Sequence, residues 1–366
     1  MLLYIMLSLW IFFILLLGLR PDAATTAMAW PYQSESSVAN RNAKICIVFG
    51  LITFAVLWFL TAFRSENIGN DTATYIYYFD IFSSGGIDRT RAFEIGYQYL
   101  NVLIGKVTRD PHIFLVIMAT IMYFGVAFYI KKYAKNFLVS ICLFFCLFFS
   151  AYTSMFRQGI AMIIILYAYQ CMKEKKKIMA IVLIAIAFWF HKTAIVALLL
   201  LFCNKLFVNK KVVYLLVLIS MLASQTDILY RVISIVLPGY AHYFASRYAS
   251  SGWLAVSYEL VRALLFFYLV SKRSNKNDAQ DRLRMMNFAL LLIFVSFGFT
   301  MNLFTRASQY FLLIGTVELP NFLYEKNDYA KRYWLFAIGL VSILMFMIIL
   351  VFRPDWNHLY PYEFWE

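Results

Sequence analysis

Long apolar runs, separated by short polar segments, make up most of the chain. Many of them approach the roughly 20 residues that an α-helix needs to cross the hydrocarbon core of a membrane. Others are shorter, so we expect some helices to tilt or to enter the membrane only in part. The pattern predicts an all-α polytopic membrane protein with about twelve transmembrane helices. The apolar runs are residues 2–19, 45–63, 112–130, 137–151, 158–172, 178–190, 193–207, 212–224, 257–270, 287–303, 307–323 and 333–351.

Basic residues between the runs predict how the helices are oriented. Lysine clusters at 131–135 and 173–177 flank a stretch, 137–172, in which Arg157 is the only charged residue. Because lysine and arginine accumulate in cytoplasmic loops, both clusters are predicted to lie inside and the turn at 152–157 outside. Counting the predicted spans from these two clusters, with the basic loops inside, places both termini of the sequence outside.

Three segments on the predicted outer side are long enough to build a site, and each contains aromatic and charged side chains. We find no soluble domain between the apolar runs, so residues 1–366 are interpreted as a single integral membrane domain. The three outer segments are residues 64–111, 225–256 and 352–366.

Aromatic side chains in the first outer segment recur at helical spacing. Tyr75, Tyr78, Phe79 and Phe82 would share one face of a helix. An amphipathic loop helix of this kind can lie in the membrane interface on the periplasmic side. A packing role for Tyr75 is the simpler interpretation and stacking on a sugar ring is the functional one, and the sequence leaves both open.

Composition supports the membrane assignment and narrows the class of partner. The chain is 63% hydrophobic and 14% charged, with a mean hydropathy of +0.72, a combination foreign to soluble domains. The net charge of +14 is carried largely by lysines in short loops, where they set topology, so no nucleic-acid partner is expected. The five cysteines all lie in apolar runs, which indicates small buried side chains rather than disulfides or metal ligands.

Lysine and arginine are distributed differently between the two predicted faces. The inner loops carry mostly lysine, whereas the outer segments and the outer ends of the runs carry mostly arginine. The planar guanidinium group suits bidentate capture of phosphate or carboxylate, so the outer face is predicted to bind an anionic ligand. For Arg157, snorkelling to the lipid headgroups is the structural alternative.

His191, in the motif "FWFHKTAI", lies at the next predicted outer turn and is a candidate for proton transfer near neutral pH. Histidine is well suited to accept a proton near pH 7, and interfacial hydrogen bonding is the structural alternative. The chain has no Walker motif, no dinucleotide fingerprint and no Asp-x-Asp pair. A substrate activated by a lipid-linked phosphate or pyrophosphate therefore fits better than a nucleotide-activated one.

Several short motifs together resemble a known family. Taken in this order, they are similar to the EpsG-like branch of the Wzy-type polysaccharide polymerases, and the resemblance runs over most of the chain. One departure is that no arginine is followed eleven positions later by glycine, a pattern of some Wzy loops, so loop-level detail is not transferred. The motifs are "RSENIGNDTATYIYYF" (64–79), "FEIGYQYL" (93–100), "SMFRQGIAMII" (154–164), "FHKTAIV" (190–196), "RASQYFLLIGTVELP" (306–320) and a closing "PYEFW".

The resemblance implies a multi-pass glycosyltransferase of the bacterial inner membrane that joins the repeat units of an O-antigen, capsule or exopolysaccharide. In that family the donor is a growing glycan on undecaprenyl pyrophosphate and the acceptor is a single lipid-linked repeat unit. Both are used at the periplasmic face, or at the outer face of a Gram-positive cell. Membrane lipid is a further expected partner, and a chain-length regulator protein is a candidate one.

The expected chemistry is metal-independent and cofactor-free transfer of a glycosyl group to an acceptor hydroxyl. Arginines would stabilise charge on the departing lipid pyrophosphate. The base that takes the hydroxyl proton is His191, Asp71 or Glu94, and the sequence does not choose between them. By matching motifs, the resemblance carries site roles to Arg64, Asp71, Arg157, Gln158, His191 and Arg306. The candidates for substrate binding are Arg64, Arg157, Gln158, Arg306, Tyr75 and Arg247.

Two other functions are compatible with a protein of this kind. A flippase for lipid-linked oligosaccharides would be expected to place charges near the membrane midplane and to contain repeated halves. Here the charges lie near the predicted outer edge and no repeat is visible, which favours an enzyme. A ligase that moves finished glycan to another acceptor uses nearly the same chemistry, and the sequence does not separate it from a polymerase.

Overall fold

The computed structural model describes most of the chain, and its secondary structure there is helical, without strands. It describes residues 1–20, 37–86, 93–202, 209–224, 226, 231, 235, 252–326 and 330–366. The helices are α1 (Leu2–Gly18), α2 (Ser37–Ala62), α3 (Thr72–Ser83), α4 (Ile95–Gly105), α5 (Pro111–Tyr133), α6 (Phe137–Tyr152), α7 (Phe156–Lys173), α8 (Lys177–Phe190), a 3₁₀ helix (Lys192–Phe202), α9 (Lys210–Ala223), α10 (Trp253–Arg273), α11 (Ala279–Phe297), α12 (Asn302–Glu325), α13 (Lys331–Phe352) and a short 3₁₀ turn (Pro354–Trp356).

Four of the described helices are long and apolar enough to cross a membrane. They are residues Ala43–Ala62 of α2, together with α5, α10 and α13. Four shorter apolar helices are α1, α6, α8 and the 3₁₀ helix that follows α8. The all-helical, multi-pass prediction is therefore confirmed in outline, whereas the count of about twelve spans is not confirmed.

The segment around His191 contains two of the shorter runs, 178–190 and 193–207, that were counted among the twelve predicted spans. Helix α8 has 14 residues, and the 3₁₀ helix that follows His191 has 11. At a rise of about 1.5 and 2.0 Å per residue, each is about 21 to 22 Å long, short of the roughly 30 Å of a hydrocarbon core. Because Lys177 and Leu200 line the same cleft, the two helices form a hairpin that turns at His191. The prediction of a turn at this histidine agrees with that hairpin.

The described helices fall into two compact units, each assembled from separate parts of the chain. Unit 1 comprises Met1–Ile164, Trp189–Lys192 and Thr316–Glu366. Unit 2 comprises Ile165–Phe188 and Thr193–Gly315. The short segment Trp189–Lys192 thus belongs to unit 1, although the residues on both sides of it belong to unit 2.

Helix α6 lies at the centre of unit 1. It packs against α1, α2 and α13, and α2 also packs against α5. Rings fill the spaces between helices, with the Phe145 and Phe346 centroids 4.7 Å apart. At Gly339 an added Cβ would lie 2.6 Å from Leu15, so glycine permits the close approach of α13 to α1. Such close packing is what associates helices in lipid, where the surroundings are as apolar as the interface.

One end of unit 1 is tied together by amide side chains. Asn136 donates to the carbonyl of Gly18 at 2.6 Å and to the hydroxyl of Tyr324 at 2.7 Å. Asn321 accepts from the backbone N–H of Lys135 at 2.7 Å. The lysine cluster at 131–135, predicted to be cytoplasmic, lies at this end.

The opposite end of unit 1 brings two of the predicted outer segments together. The backbone N–H of Ser65 donates to the carbonyl of Glu363 at 2.9 Å, and that of Trp365 donates to Phe63 at 2.9 Å. The ring of Trp365 also stacks on His112, at the start of α5, with 5.3 Å between centroids. The start of segment 64–111 and the tail are therefore neighbours, as expected if both lie on one side of the membrane.

Unit 2 is built around α11. This helix packs against α9 and α10. Ser220 of α9 donates to Ser296 of α11 at 2.5 Å, and Asn287 of α11 donates to the carbonyl of Phe311 in α12 at 3.0 Å. Buried hydroxyl and amide groups thus tie its helices to one another.

Candidate functional site

Glu94 joins three separate segments of unit 1. It lies directly before α4, yet its carboxylate is directed to two other segments rather than to the α4 backbone. One oxygen, Oε2, accepts from Nη1 of Arg157 at 2.6 Å. The other, Oε1, lies 3.1 Å from Nδ1 of His191 and accepts from the backbone N–H of Lys192 at 3.2 Å. Two of the predicted catalytic candidates and one predicted binding residue are therefore in direct contact.

Arg157 is held in a defined position in the first turn of α7. Besides its ion pair with Glu94, its guanidinium interacts with the hydroxyl of Tyr75. Its Cζ lies 4.3 Å from the centroid of the Phe93 ring, within the range of a cation–π contact. About one fifth of the side chain, 20%, stays exposed, against 8% for Glu94. These contacts hold the guanidinium against protein groups.

His191 reaches Glu94 because the end of α8 packs closely on the start of α4. An added Cβ at Gly96 would lie 2.8 Å from the carbonyl oxygen of Trp189, so this approach requires glycine. The histidine is buried, and its Nδ1 faces the carboxylate. With an ionised carboxylate as acceptor, Nδ1 carries the proton and donates, and Nε2 of the neutral ring is then the basic nitrogen.

The surroundings of Glu94 keep its carboxylate ionised. Burial alone would raise the pKa, but the hydrogen bond with His191 and the charge of Arg157 outweigh it and lower the pKa to about 2. A group with so low a pKa is a weak base at neutral pH, because efficient proton acceptors have pKa values near the working pH. Glu94 is thus poorly suited to accept a proton itself, and its contact with Nδ1 suits it to orient the His191 ring.

Arg64 is completely buried and braces the loop before α3. It donates to the carbonyls of Thr61, Ile68 and Thr153, the last at 2.8 Å, and to the hydroxyl of Thr72 at 3.3 Å. Burial lowers its pKa to about 10, so it remains cationic at neutral pH. The side chain is 0% exposed, and its hydrogen bonds link α2, the loop before α3 and the turn before α7.

The aromatic face predicted for the first outer segment is present in α3. Tyr75, Phe79 and Phe82 are buried along it. The Tyr75 ring stacks on Phe156 with 4.8 Å between centroids and meets the edge of Tyr97. Both ring contacts are with protein, so the structure favours the packing interpretation of Tyr75 over stacking on a sugar, and only its hydroxyl reaches Arg157.

The remaining predicted residues are distributed more widely. Asp71, directly before α3, has an exposed side chain, and Gln158 is buried beside Arg157 in α7. Arg306 is exposed in the first turns of α12, within unit 2. Arg247 and most of the outer segment 225–256 lie outside the described residues.

Three contributions to the site were missed by sequence reasoning. These are the Phe93 ring beneath Arg157, the backbone N–H of Lys192 and the close packing at Gly96. The motif "FEIGYQYL" places Phe93, Glu94 and Gly96 within four positions, which was the available signal. A backbone N–H leaves no trace in the residue type, so its role could not be found from the sequence.

Comparison with known protein families gives a match over most of the chain. A model of the EpsG family matches residues 47–364, most of the chain and every residue of the Glu94 contact. No curated protein and no solved structure shows significant similarity.

Proposed function

Because the chain belongs to the EpsG family, we propose that it is a polysaccharide polymerase, a glycosyltransferase that joins lipid-linked repeat units. The donor is a growing glycan on undecaprenyl pyrophosphate, and the acceptor is a single lipid-linked unit. The reaction takes place at the outer face of the bacterial inner membrane. The observation that carries this proposal is the contact of one ionised carboxylate, Glu94, with both His191 and Arg157.

In this proposal His191 is the general base. A hydroxyl of the acceptor sugar attacks the anomeric carbon of the donor, a new C–O bond forms, and the bond to the lipid pyrophosphate breaks. The hydroxyl proton passes to Nε2 of His191. Glu94 holds the ring in the tautomer that accepts at Nε2 and stabilises the imidazolium that forms, as the carboxylate does in a carboxylate–histidine pair.

Arg157 is assigned to the leaving group. Its partly exposed guanidinium can hydrogen-bond the pyrophosphate oxygens, on which negative charge develops as the glycosidic bond breaks. The ion pair with Glu94 and the ring of Phe93 fix its orientation in advance. Arg64 acts as a positioning residue in this scheme, because its buried contacts are with the protein.

The other candidates keep roles in substrate binding. Gln158, next to Arg157, and the exposed side chains of Asp71 and Arg306 are proposed to contact sugar or phosphate groups, and Arg247 is proposed for the same task. A chain-length regulator protein is proposed as a partner, since polymerases of this type act on chains of controlled length.

The test compares His191→Ala with Lys192→Ala in cells that lack the native gene. Lys192 touches Glu94 only through its backbone N–H, and its side chain is exposed, so its alanine variant is a matched control. Loss of a general base typically costs about 10²- to 10⁴-fold in rate. We expect His191→Ala to leave single lipid-linked units on the outer leaflet and to abolish long glycan, and Lys192→Ala to make glycan of normal length.

Other outcomes identify other functions. Accumulation of units on the cytoplasmic leaflet in the His191→Ala strain would indicate a flippase. Long lipid-linked chains that are not transferred to a surface acceptor would indicate a ligase. Normal glycan in both strains would remove His191 from the mechanism.

A further inference from the structure

A cleft in unit 2 is lined by an unusual number of cationic side chains. It has a volume of about 510 Å³ and lies beside the turn that joins α7 to α8. Three lysines of that turn, 173, 175 and 177, and Arg282 of α11 line it, together with a single carboxylate, Asp278. The charge pattern of the sequence predicts that this end of unit 2 faces the cytoplasm.

The one acidic side chain in the cleft is engaged by the helix next to it. Asp278 lies directly before α11 and accepts from the backbone N–H of Gln280 at 3.2 Å and of Asp281 at 3.4 Å. Its charge therefore largely offsets the positive end of α11 rather than the lysines across the cleft. The cleft keeps an excess of positive charge.

Helix α11 and the loop before it form one wall of the cleft, and hydrogen bonds hold this wall in place. Arg282 donates to the carbonyls of Lys276 and Asn277, each at 3.0 Å. Asp281, fully buried, accepts from the backbone N–H of Asn275 at 2.7 Å and pairs with the buried Arg284. These bonds fix the loop in place, so the position of the guanidinium in the cleft is set before any ligand arrives.

Lys175 occupies a backbone position that ordinarily belongs to glycine. Its φ is +62°, and the bonds from Lys175 N–H to Met172 and from Lys176 N–H to Cys171 form the usual helix-ending pattern. A side chain at such a position costs free energy that glycine avoids. The chain nevertheless places a lysine there, at the rim of the cleft.

The same cleft has an apolar part, contributed by Met172, Leu200, Leu201 and Leu283. We propose that the cleft binds a phosphate-bearing anion through its lysines and Arg282. Adjacent apolar lining fits a ligand with an acyl chain, so the favoured source is the headgroup of an anionic phospholipid in the cytoplasmic leaflet. Basic pockets between helices on that side are suited to such headgroups. Free phosphate is the other source of the same chemistry.

The test titrates full-length detergent-solubilised protein with phosphatidylglycerol and counts bound lipid by native mass spectrometry. The variant is K175Q/K177Q, and the control is K131Q/K132Q, which removes the same charge from two exposed lysines of α5 in unit 1. Each lysine near an anionic headgroup contributes about fivefold in affinity. We expect the tightest phosphatidylglycerol site to weaken about 30-fold in K175Q/K177Q and to be unchanged in the control.

A second arm separates the two sources of phosphate. Inorganic phosphate is titrated in phosphatidylcholine nanodiscs, and failure to bind supports the lipid headgroup. Binding of inorganic phosphate that depends on Lys175 and Lys177, with no lysine-dependent lipid site, assigns the cleft to soluble phosphate. Equal lipid retention by wild type and K175Q/K177Q without lysine-dependent binding of inorganic phosphate, or equal losses in both double variants, overturns the proposal.

The variant Lys175→Gly separates an effect on lipid affinity from an effect on folding. Glycine suits φ of +62°, so the thermal midpoint without lipid should not fall below that of the wild type. We expect lipid affinity to drop about fivefold all the same. Unchanged affinity in this variant would count against a role for the lysine charge.

Discussion

Replacing Glu94 by glutamine removes one charge from the contact with Arg157 and His191 while barely changing the shape of the side chain. The amide can donate to Nδ1 of His191, which the carboxylate cannot do. A ring that accepts at Nδ1 carries its proton on Nε2, and that nitrogen can no longer act as the base. Arg157 at the same time loses the negative charge of the group that accepts from it at 2.6 Å.

The pKa of Glu94 shows how strongly its contacts favour the carboxylate over a neutral group. Contacts in the folded protein lower this pKa from 4.5 to about 2, although burial opposes them. A difference of about 2.5 corresponds to roughly 3 kcal/mol in favour of the ionised form, at 1.36 kcal/mol for each pKa unit. The carboxylate is only 8% exposed, so little of this is screened by solvent. We expect a loss of about 10²- to 10⁴-fold in rate when the tautomer is wrong.

The assay is chain formation from lipid-linked repeat units in membrane vesicles, measured for Glu94→Gln and for Glu66→Gln as a control. Glu66 is an exposed carboxylate of the same outer segment, so its variant should keep the wild-type rate. Glu94→Asp keeps the charge on a shorter side chain and should retain part of the activity. A rate for Glu94→Gln within threefold of the wild type would refute the carboxylate–histidine mechanism.

Two further variants and the pH dependence extend the test. Arg157→Lys should keep its expression level but lose most activity, because an ammonium group cannot make the two parallel hydrogen bonds of a guanidinium. Near-normal glycan length in this variant would instead support the structural role, in which Arg157 extends to the lipid headgroups. Arg64→Met should lower the free energy of unfolding by roughly 3 kcal/mol or more, because it leaves buried carbonyl groups without a donor. Arg109→Met, at an exposed position, is the control, and equal thermal midpoints for the two variants would contradict this expectation. The pKa of Glu94 is lower in the folded than in the unfolded chain, so its stabilising effect is present above about pH 4.5 and is lost as the pH falls towards 2. The thermal midpoint measured against pH should show this loss for the wild type and a smaller loss for Glu94→Gln.

Local periodicity explains what the sequence could predict. The face of α3 with Tyr75, Phe79 and Phe82 was visible because a buried helical face repeats every three to four residues. Arg157 stood out because it is the only charge in a long apolar stretch. Both signals lie within one element and need no knowledge of the packing.

The contacts of Glu94 with Arg157 and His191 could be identified only from the tertiary structure. Glu94 is separated from Arg157 by 63 positions and from His191 by 97, and Asp71 had equal standing as a base. Nothing in residue type tells which carboxylate the hairpin around His191 will approach. The 3₁₀ form of this part of the chain was equally hidden, because the composition of the run 193–207 does not distinguish a 3₁₀ helix from an α-helix, and the structure has a 3₁₀ helix at Lys192–Phe202.

The pairing of the tail with the segment before α3 has a consequence for the order of assembly during synthesis. Ser65 and Glu363 are 298 positions apart, so at about 5 to 20 residues per second roughly 15 to 60 s pass between their emergence from the ribosome. The carbonyls that accept from Arg64 are synthesised much earlier than the tail, those of Thr61 and Ile68 together with Arg64 and that of Thr153 after α6. These hydrogen bonds of Arg64 can therefore form early, whereas the backbone at 63–65 has no partner for its bonds to 363–365 until the tail has been synthesised. This end of unit 1 is therefore completed only late in synthesis.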